Sequence, residues 1–169
     1  LITLPVNFFL ELITGTFTAP QYTESFFPPA LIRRASVEDR TPVFVENREI
    51  PFWLVIPYSA VTTQEPADLI IWGHGFLGNG NTDGLSGWAN ENNAAMLGTS
   101  FYGWADDDFA SIEYAVLNMH YFQHQAERLE QAMINQVVMI KTFMGICSDL
   151  PEYYYEDGNE KLIDTTNPT

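Results

Sequence analysis

The 169-residue chain contains a single cysteine, Cys147, so it forms no intrachain disulfide and no cysteine-based zinc centre. Nothing near Cys147 in sequence would activate its thiol, and it reads as a structural side chain. Basic residues are also scarce: 7 Lys and Arg stand against 22 Asp and Glu, a formal net charge of −15. That field repels phosphate backbones and anionic membrane surfaces, which excludes nucleic acid as a partner. The acidity predicts high solubility or an extracellular, periplasmic or cell-envelope setting. No long hydrophobic run is present. Residues 1–13 (LITLPVNFFLELI) are apolar but interrupted by Pro5, Asn7 and Glu11, and no basic stretch precedes them. They are too short for a transmembrane segment and lack the layout of an intact signal peptide. The start at Leu1 and the polar ending Asp164–Thr169 suggest a fragment.

What is present is enough for one folded domain. Apolar residues make up 46% of the chain and aromatics 14%, which excludes a disordered polymer. Residues 1–40 read as an N-terminal extension of edge segments broken by prolines, with Thr14–Thr18 a short strand and Arg33-Arg34 a solvated basic pair. Residues 41–169 read as sheet and helices. Pro42–Val45 and Ile50–Ile56 are strand candidates, and polar Glu46–Glu49 between them predicts a hairpin turn. Leu69–Trp72 is an unbroken apolar run, the signature of a strand covered on both faces. A Gly-rich loop, Gly73–Gly84, follows it. Leu85–Met96 then reads as a helix and Leu97–Tyr102 as a short strand. Residues 106 to 144 read as helical, with three Asp where negative charge favours a helix N-terminus. Leu129, Met133, Val137, Ile140 and Met144 recur at helical spacing and predict a core-facing stripe, and Gly145 a C-terminal stop. Asp157-Gly158 reads as a turn, and Leu162–Asp164 as the approach to a further strand. The order predicts an α/β fold whose first strands form an antiparallel edge.

The stretch Trp72-Gly73-His74-Gly75-Phe76-Leu77-Gly78, directly after the buried strand, resembles the α/β-hydrolase family, above all its secreted lipase and esterase branches. In that family an HG-containing loop after a central strand supplies part of the oxyanion hole. The chemistry needs a backbone N–H aimed at the oxygen that becomes negative in the tetrahedral intermediate, and glycines allow that approach. The resemblance implies Phe76 N–H as first donor and Leu77 N–H as second, with His74 orienting the loop rather than acting as base. Gly75 and Trp104 would border the substrate. It further implies an incomplete α/β-hydrolase-like sheet, a small-molecule or lipid ester as substrate, and no cofactor. Residues 51–57, 98–108 and the helix near 121–144 fit the same pattern.

The nucleophile elbow G-x-S-x-G is missing. Ser86 stands in Gly84-Leu85-Ser86-Gly87 and Ser100 in Gly98-Thr99-Ser100-Phe101-Tyr102-Gly103, each with its second glycine misplaced by one position. The resemblance places the elbow just beyond Thr169 and the acid and histidine further on, so this chain alone is not expected to turn over. The alternative expectation is a non-catalytic, truncated hydrolase-like binding module. Three sharper readings compete with plainer ones. Ser100 with Asp106 or Asp108 and His120 or His124 has the chain order of a triad, compressed into too short a segment. His120 and His124, four apart, with Glu113 or Glu127 nearby, have zinc-ligand spacing, against an ordinary helix pair. Asn79, Asn81 and Asp83 mimic the opening of a calcium loop, as does Asp106–Asp108, against a polar rim loop and a helix start; no metal is assigned.

Overall fold

A computed structural model describes residues 9–25, 30–155, 160–166 and 168. The fold is mixed α/β: a five-stranded sheet in the order β1-β2-β4-β3-β5, with helices on its faces. Strand β1 (Phe9–Gln21) lies antiparallel to β2 (Glu46–Pro57), pairing Ile13 with Leu54 and Phe17 with Ile50. The other edge of β2 is antiparallel to β4 (Ala94–Thr99), with Leu54 opposite Leu97. From there the sheet turns parallel: β3 (Ala67–Trp72) pairs β4 on one side and β5 (Ile163–Asp164) on the other. The apolar run Leu69–Trp72 is thus an interior strand. The predicted turn at Asp157-Gly158 lies outside the described residues.

Alternation along the strands builds two cores. Leu54, Ile56, Leu69 and Leu97 point to one face, where they meet Met139 and Phe143 of helix α4 (Phe122–Met144). Val55 and Met96 point to the other, against Ala89 of helix α2 (Ser86–Glu91). All six residues of β4 are buried. Each fully buried leucine contributes about 1.5–3 kcal/mol, and β4 joins the two cores. A short helix α1 (Ser59–Thr63) connects β2 to β3, and α3 (Phe109–Leu117) precedes α4. No helix among the described residues is long and apolar enough to cross a membrane.

Pro42–Val45 forms no strand, only the isolated bridge of Pro42 with Arg34, and four further local expectations change. Glu46–Glu49 is no hairpin turn; these residues extend β2 and pair with Thr18–Gln21, and both Thr16 and Thr18 hydroxyls donate to the Glu49 carboxylate, at 2.8 and 2.6 Å. A polar surface for β1 to pair with outweighs the turn-like composition. Helix α2 stops at Glu91, and Asn93 takes a positive φ of 47° before β4 begins at Ala94, three residues earlier than expected. The helical stretch after Asp106 is broken at Asn118 (φ −134°, ψ 78°) into α3 and α4.

The fourth change is the largest. On α4, Met133 and Val137 of the expected core stripe are 57% and 48% exposed. The buried face instead carries Gln125, Arg128, Gln131, Asn135 and Met139. The reason lies in what the N-terminal half of the helix covers: backbone, not apolar side chains. Gln131 Oε1 accepts the Tyr22 N–H at 2.7 Å while its amide donates to the Pro20 carbonyl at 3.1 Å. Gln21 donates to Asn135 at 3.0 Å, and His124 Nδ1 accepts the Ala30 N–H at 3.0 Å. Glu127 accepts the Ile32 N–H, and Gln123 at 2.8 Å and Arg34 at 3.3 Å. Buried main-chain groups without a sheet partner need side-chain partners, so the polar face turns inward.

Two outcomes follow. Gln131→Ala leaves the Tyr22 N–H and the Pro20 carbonyl without their partner, and urea unfolding is expected to show a loss of about 1–3 kcal/mol. Burial opposes ionisation of Glu127, but hydrogen bonds from Gln123, Ile32 and Arg34 outweigh it and hold its carboxyl below the ordinary range. Its stabilisation is therefore complete above the usual glutamate pKa and lost as pH falls through the lowered one. Unfolding curves across the acid range are expected to decline less steeply for Glu127→Gln than for the unaltered chain.

Candidate active site

Because β3 and β4 run parallel, the loops leaving Trp72 and Thr99 emerge at the same carboxyl edge of the sheet, where open α/β sheets place their ligands. Loop 73–84 crosses over the end of β4. A Cβ on Gly98 would lie 2.3 Å from the Gly80 carbonyl oxygen, and one on Gly80 would lie 2.4 Å from the Thr99 carbonyl carbon. Only glycines allow main chain to lie on main chain this closely. Thr82, fully buried, anchors the far side of the crossing through its hydroxyl on the Met96 carbonyl at 3.3 Å.

His74 is buried at the junction of the two loops. Its Nε2 accepts the Phe101 N–H at 2.8 Å, and its Nδ1 lies 2.7 Å from the Gly75 carbonyl. An amide N–H only donates and a carbonyl only accepts, so both contacts hold together when the hydrogen sits on Nδ1 of a neutral imidazole. With its Nε2 lone pair engaged by main chain, His74 is built as a strut between loops. The Phe101 ring meets the imidazole edge-on at 5.5 Å.

Beyond His74 the chain makes a tight turn: Gly78 N–H donates to the Gly75 carbonyl at 3.0 Å, and Leu77 takes φ 57°. The turn is fastened to loop 100–108 by Leu77 N–H on the Trp104 carbonyl (2.7 Å), Asp106 N–H on the Gly78 carbonyl (2.9 Å) and Asn79 Nδ2 on the Asp106 carboxylate (2.9 Å). Of the two donors expected for an oxyanion, Leu77 N–H is thus engaged by Trp104. Phe76 N–H has no acceptor among the described residues. The Phe76 ring, 53% exposed, packs edge-on against the 41% exposed Trp104 at 4.7 Å. Nothing lies within 4 Å of where a Gly75 Cβ would stand, so space is open beside the turn.

The receiving loop has its own support, which composition did not reveal. Asp108 is buried, accepts the Gly103 and Ala105 N–H groups and pairs with buried Arg128 of α4. Gln125, also on α4, donates to the Gly103 carbonyl and accepts the Ser111 hydroxyl at 3.0 Å. The inward polar face of α4 therefore positions the loop that holds the HG turn. Burial, reinforced by Asp107 and Asp108, pushes the nearby Tyr102 phenol up, so it stays protonated.

The sharper sequence readings do not assemble. Ser100 is buried, its Oγ accepts the Gly80 N–H at 3.3 Å, and no hydrogen bond joins it to a histidine among the described residues. His124 and Glu127 are taken up by the main chain of Ala30 and Ile32, while His120 lies in a separate turn against the Tyr121 ring. Asn79 and Asn81 accept the N–H groups of Asn81 and Asp83 at 3.1 and 2.9 Å, the hydrogen bonds of two successive loop turns. Among the described residues no group of three or more His, Cys, Asp or Glu is placed to hold a metal ion.

A positive φ at Leu77 is strained for a residue with a Cβ. Leu77→Gly is expected to keep the turn and raise stability by up to about 1 kcal/mol; a loss measured by urea unfolding would mean that the leucine side chain contributes more than the strain costs.

Comparison of the chain with protein-family models, with curated proteins and with solved structures finds no match.

Proposed function

We propose that this chain carries the oxyanion-hole half of an α/β-hydrolase-like serine hydrolase that cleaves esters, lipid esters included. The single observation that carries the reading is the Phe76 N–H, without an acceptor among the described residues, on a braced turn at the carboxyl edge of two parallel strands. In the reaction a serine Oγ attacks the ester carbonyl carbon, and the carbonyl oxygen becomes negative. A donor already held in place stabilises that charge without reorganising. Leu77 N–H is bonded to the Trp104 carbonyl, which supports Phe76 as the donor in this reading and Leu77 as a brace. The neighbouring rings of Phe76 and Trp104 offer an apolar wall to the acyl or alcohol part of the ester.

The sheet supports the same reading. Its first strands are antiparallel, the HG loop leaves an interior strand, and the long helix α4 precedes β5. Strand β5 is parallel to β3, with Ile163 opposite Ala67 and Asp164 opposite Asp68. Strand β5 ends at Asp164, level with Asp68, and points toward the carboxyl edge that Trp72 reaches. A nucleophile at the top of β5 would then emerge beside the HG turn, where the resemblance puts it.

The test uses the natural protein that contains this segment. A fluorophosphonate probe is expected to label one serine in a G-x-S-x-G that follows β5; absence of labelling and of ester cleavage overturns the proposal. Phe76→Pro removes both the amide hydrogen and the ring at a turn position that favours proline, and Phe76→Ala removes the ring alone and keeps that hydrogen. Proline is expected to lower kcat by about 10²–10³, with alanine far closer to the unaltered enzyme.

A further inference from the structure

A cavity of roughly 500 Å³ lies between the β1–β2 ribbon and the C-terminal end of α4. No residue of loops 73–84 or 100–108 lines it. We propose that it is a second site, which binds an uncharged apolar molecule such as an aliphatic chain or an unsubstituted aromatic ring.

The walls make the choice of ligand. Ile13, Phe17, Phe52, Leu54 and Phe143 form the interior, with Phe52 and Phe143 edge-to-face at 4.6 Å. Among the described residues no Asp, Glu, Lys, Arg or His lines the space. The threonine hydroxyls at its border are already engaged: Thr16 and Thr18 donate to Glu49, and Thr142 donates to the Val138 carbonyl at 2.8 Å. Cys147 faces the cavity, and burial pushes its thiol up, so it presents a neutral, polarisable surface. Among the described residues, the Tyr153 phenol and the Cys147 thiol are the remaining polar side-chain groups of an otherwise apolar lining, and an apolar cavity of about 150 Å³ already holds a benzene. The volume falls within the range of small-molecule pockets, about 300–1,000 Å³. At the mouth stand Ile146, 89% exposed, and Leu150, 40% exposed. An isoleucine so fully in water at the rim of an apolar hollow gains burial when the hollow is filled.

The probe is N-phenyl-naphthylamine, an uncharged fluorophore that brightens in apolar surroundings, titrated into the natural protein that contains this segment. Saturable one-to-one binding is expected, together with slower alkylation of Cys147 by iodoacetamide when the probe is present. Cys147→Trp fills the space and Ile146→Lys puts a charge at the mouth; each is expected to weaken binding by about tenfold or more, as overfilled apolar sites do. Ile146 is a surface residue, so its variant and the alkylation rate decide the matter even where Cys147→Trp does not fold. Absence of saturable binding overturns the proposal. So does binding that leaves alkylation and both variants unchanged, which places the probe on another apolar surface. Binding that weakens as chain concentration rises, with Ile146→Lys converting a dimer to monomer, overturns it in favour of a second copy over the opening.

Discussion

The imidazole of His74 stands where two loops leave neighbouring parallel strands, and the candidate site rests on the way it ties them together. One nitrogen holds the main chain just after His74 itself, and the other holds the main chain at Phe101. Around this link the loops meet again at Leu77 with Trp104, Gly78 with Asp106 and Gly80 with Ser100. The contacts run from backbone to backbone or from side chain to backbone. The turn at Phe76 is therefore fixed by the sheet edge and does not depend on its own residue preferences, which a left-handed Leu77 contradicts. A rigid donor is what electrostatic stabilisation of a developing oxyanion requires, because a mobile one must be ordered as the charge forms.

The second loop needs bracing of its own, and this comes from the inward face of α4. Arg128 and Gln125 reach Asp108 and Gly103, while one to two turns later Gln131 and Asn135 reach the chain around Pro20–Tyr22. One helix thus serves as ceiling to the core through Met139 and Phe143 and as a row of hydrogen-bonding partners toward its start. Breaking a buried pair such as Asp108–Arg128 would leave an uncompensated charge, so this part of the molecule is fixed in geometry more than it is strengthened.

Legibility in the sequence divided along a physical line. Leu69–Trp72 was readable as an interior strand because its apolar side chains pack on both faces of the sheet, Leu69 fully buried and the other three partly, and the HG turn because glycines leave a mark wherever chains approach closely. The stripe at Leu129, Met133, Val137, Ile140 and Met144 misled because periodicity reports where apolar side chains fall on a helix, without reporting what lies beneath it. Glu46–Glu49 looked like a turn because local composition is blind to a partner strand some thirty residues away, whose Thr16 and Thr18 hydroxyls receive Glu49. The part Asp108 plays in bracing the loop was hidden among three identical neighbours; only its burial beside Arg128 separates it from Asp106 and Asp107.

By itself the sequence determined the strongly acidic character, the lack of disulfide cross-links, the interior strand and the glycine loop that follows it, since each depends on residue type and near-neighbour order alone. Tertiary structure decided the rest: which face of α4 turns inward, which backbone N–H beside His74 keeps no acceptor, and which apolar residues enclose a cavity. Those outcomes depend on partners brought together from distant segments, and hydrogen-bond satisfaction and packing are settled only once those partners meet.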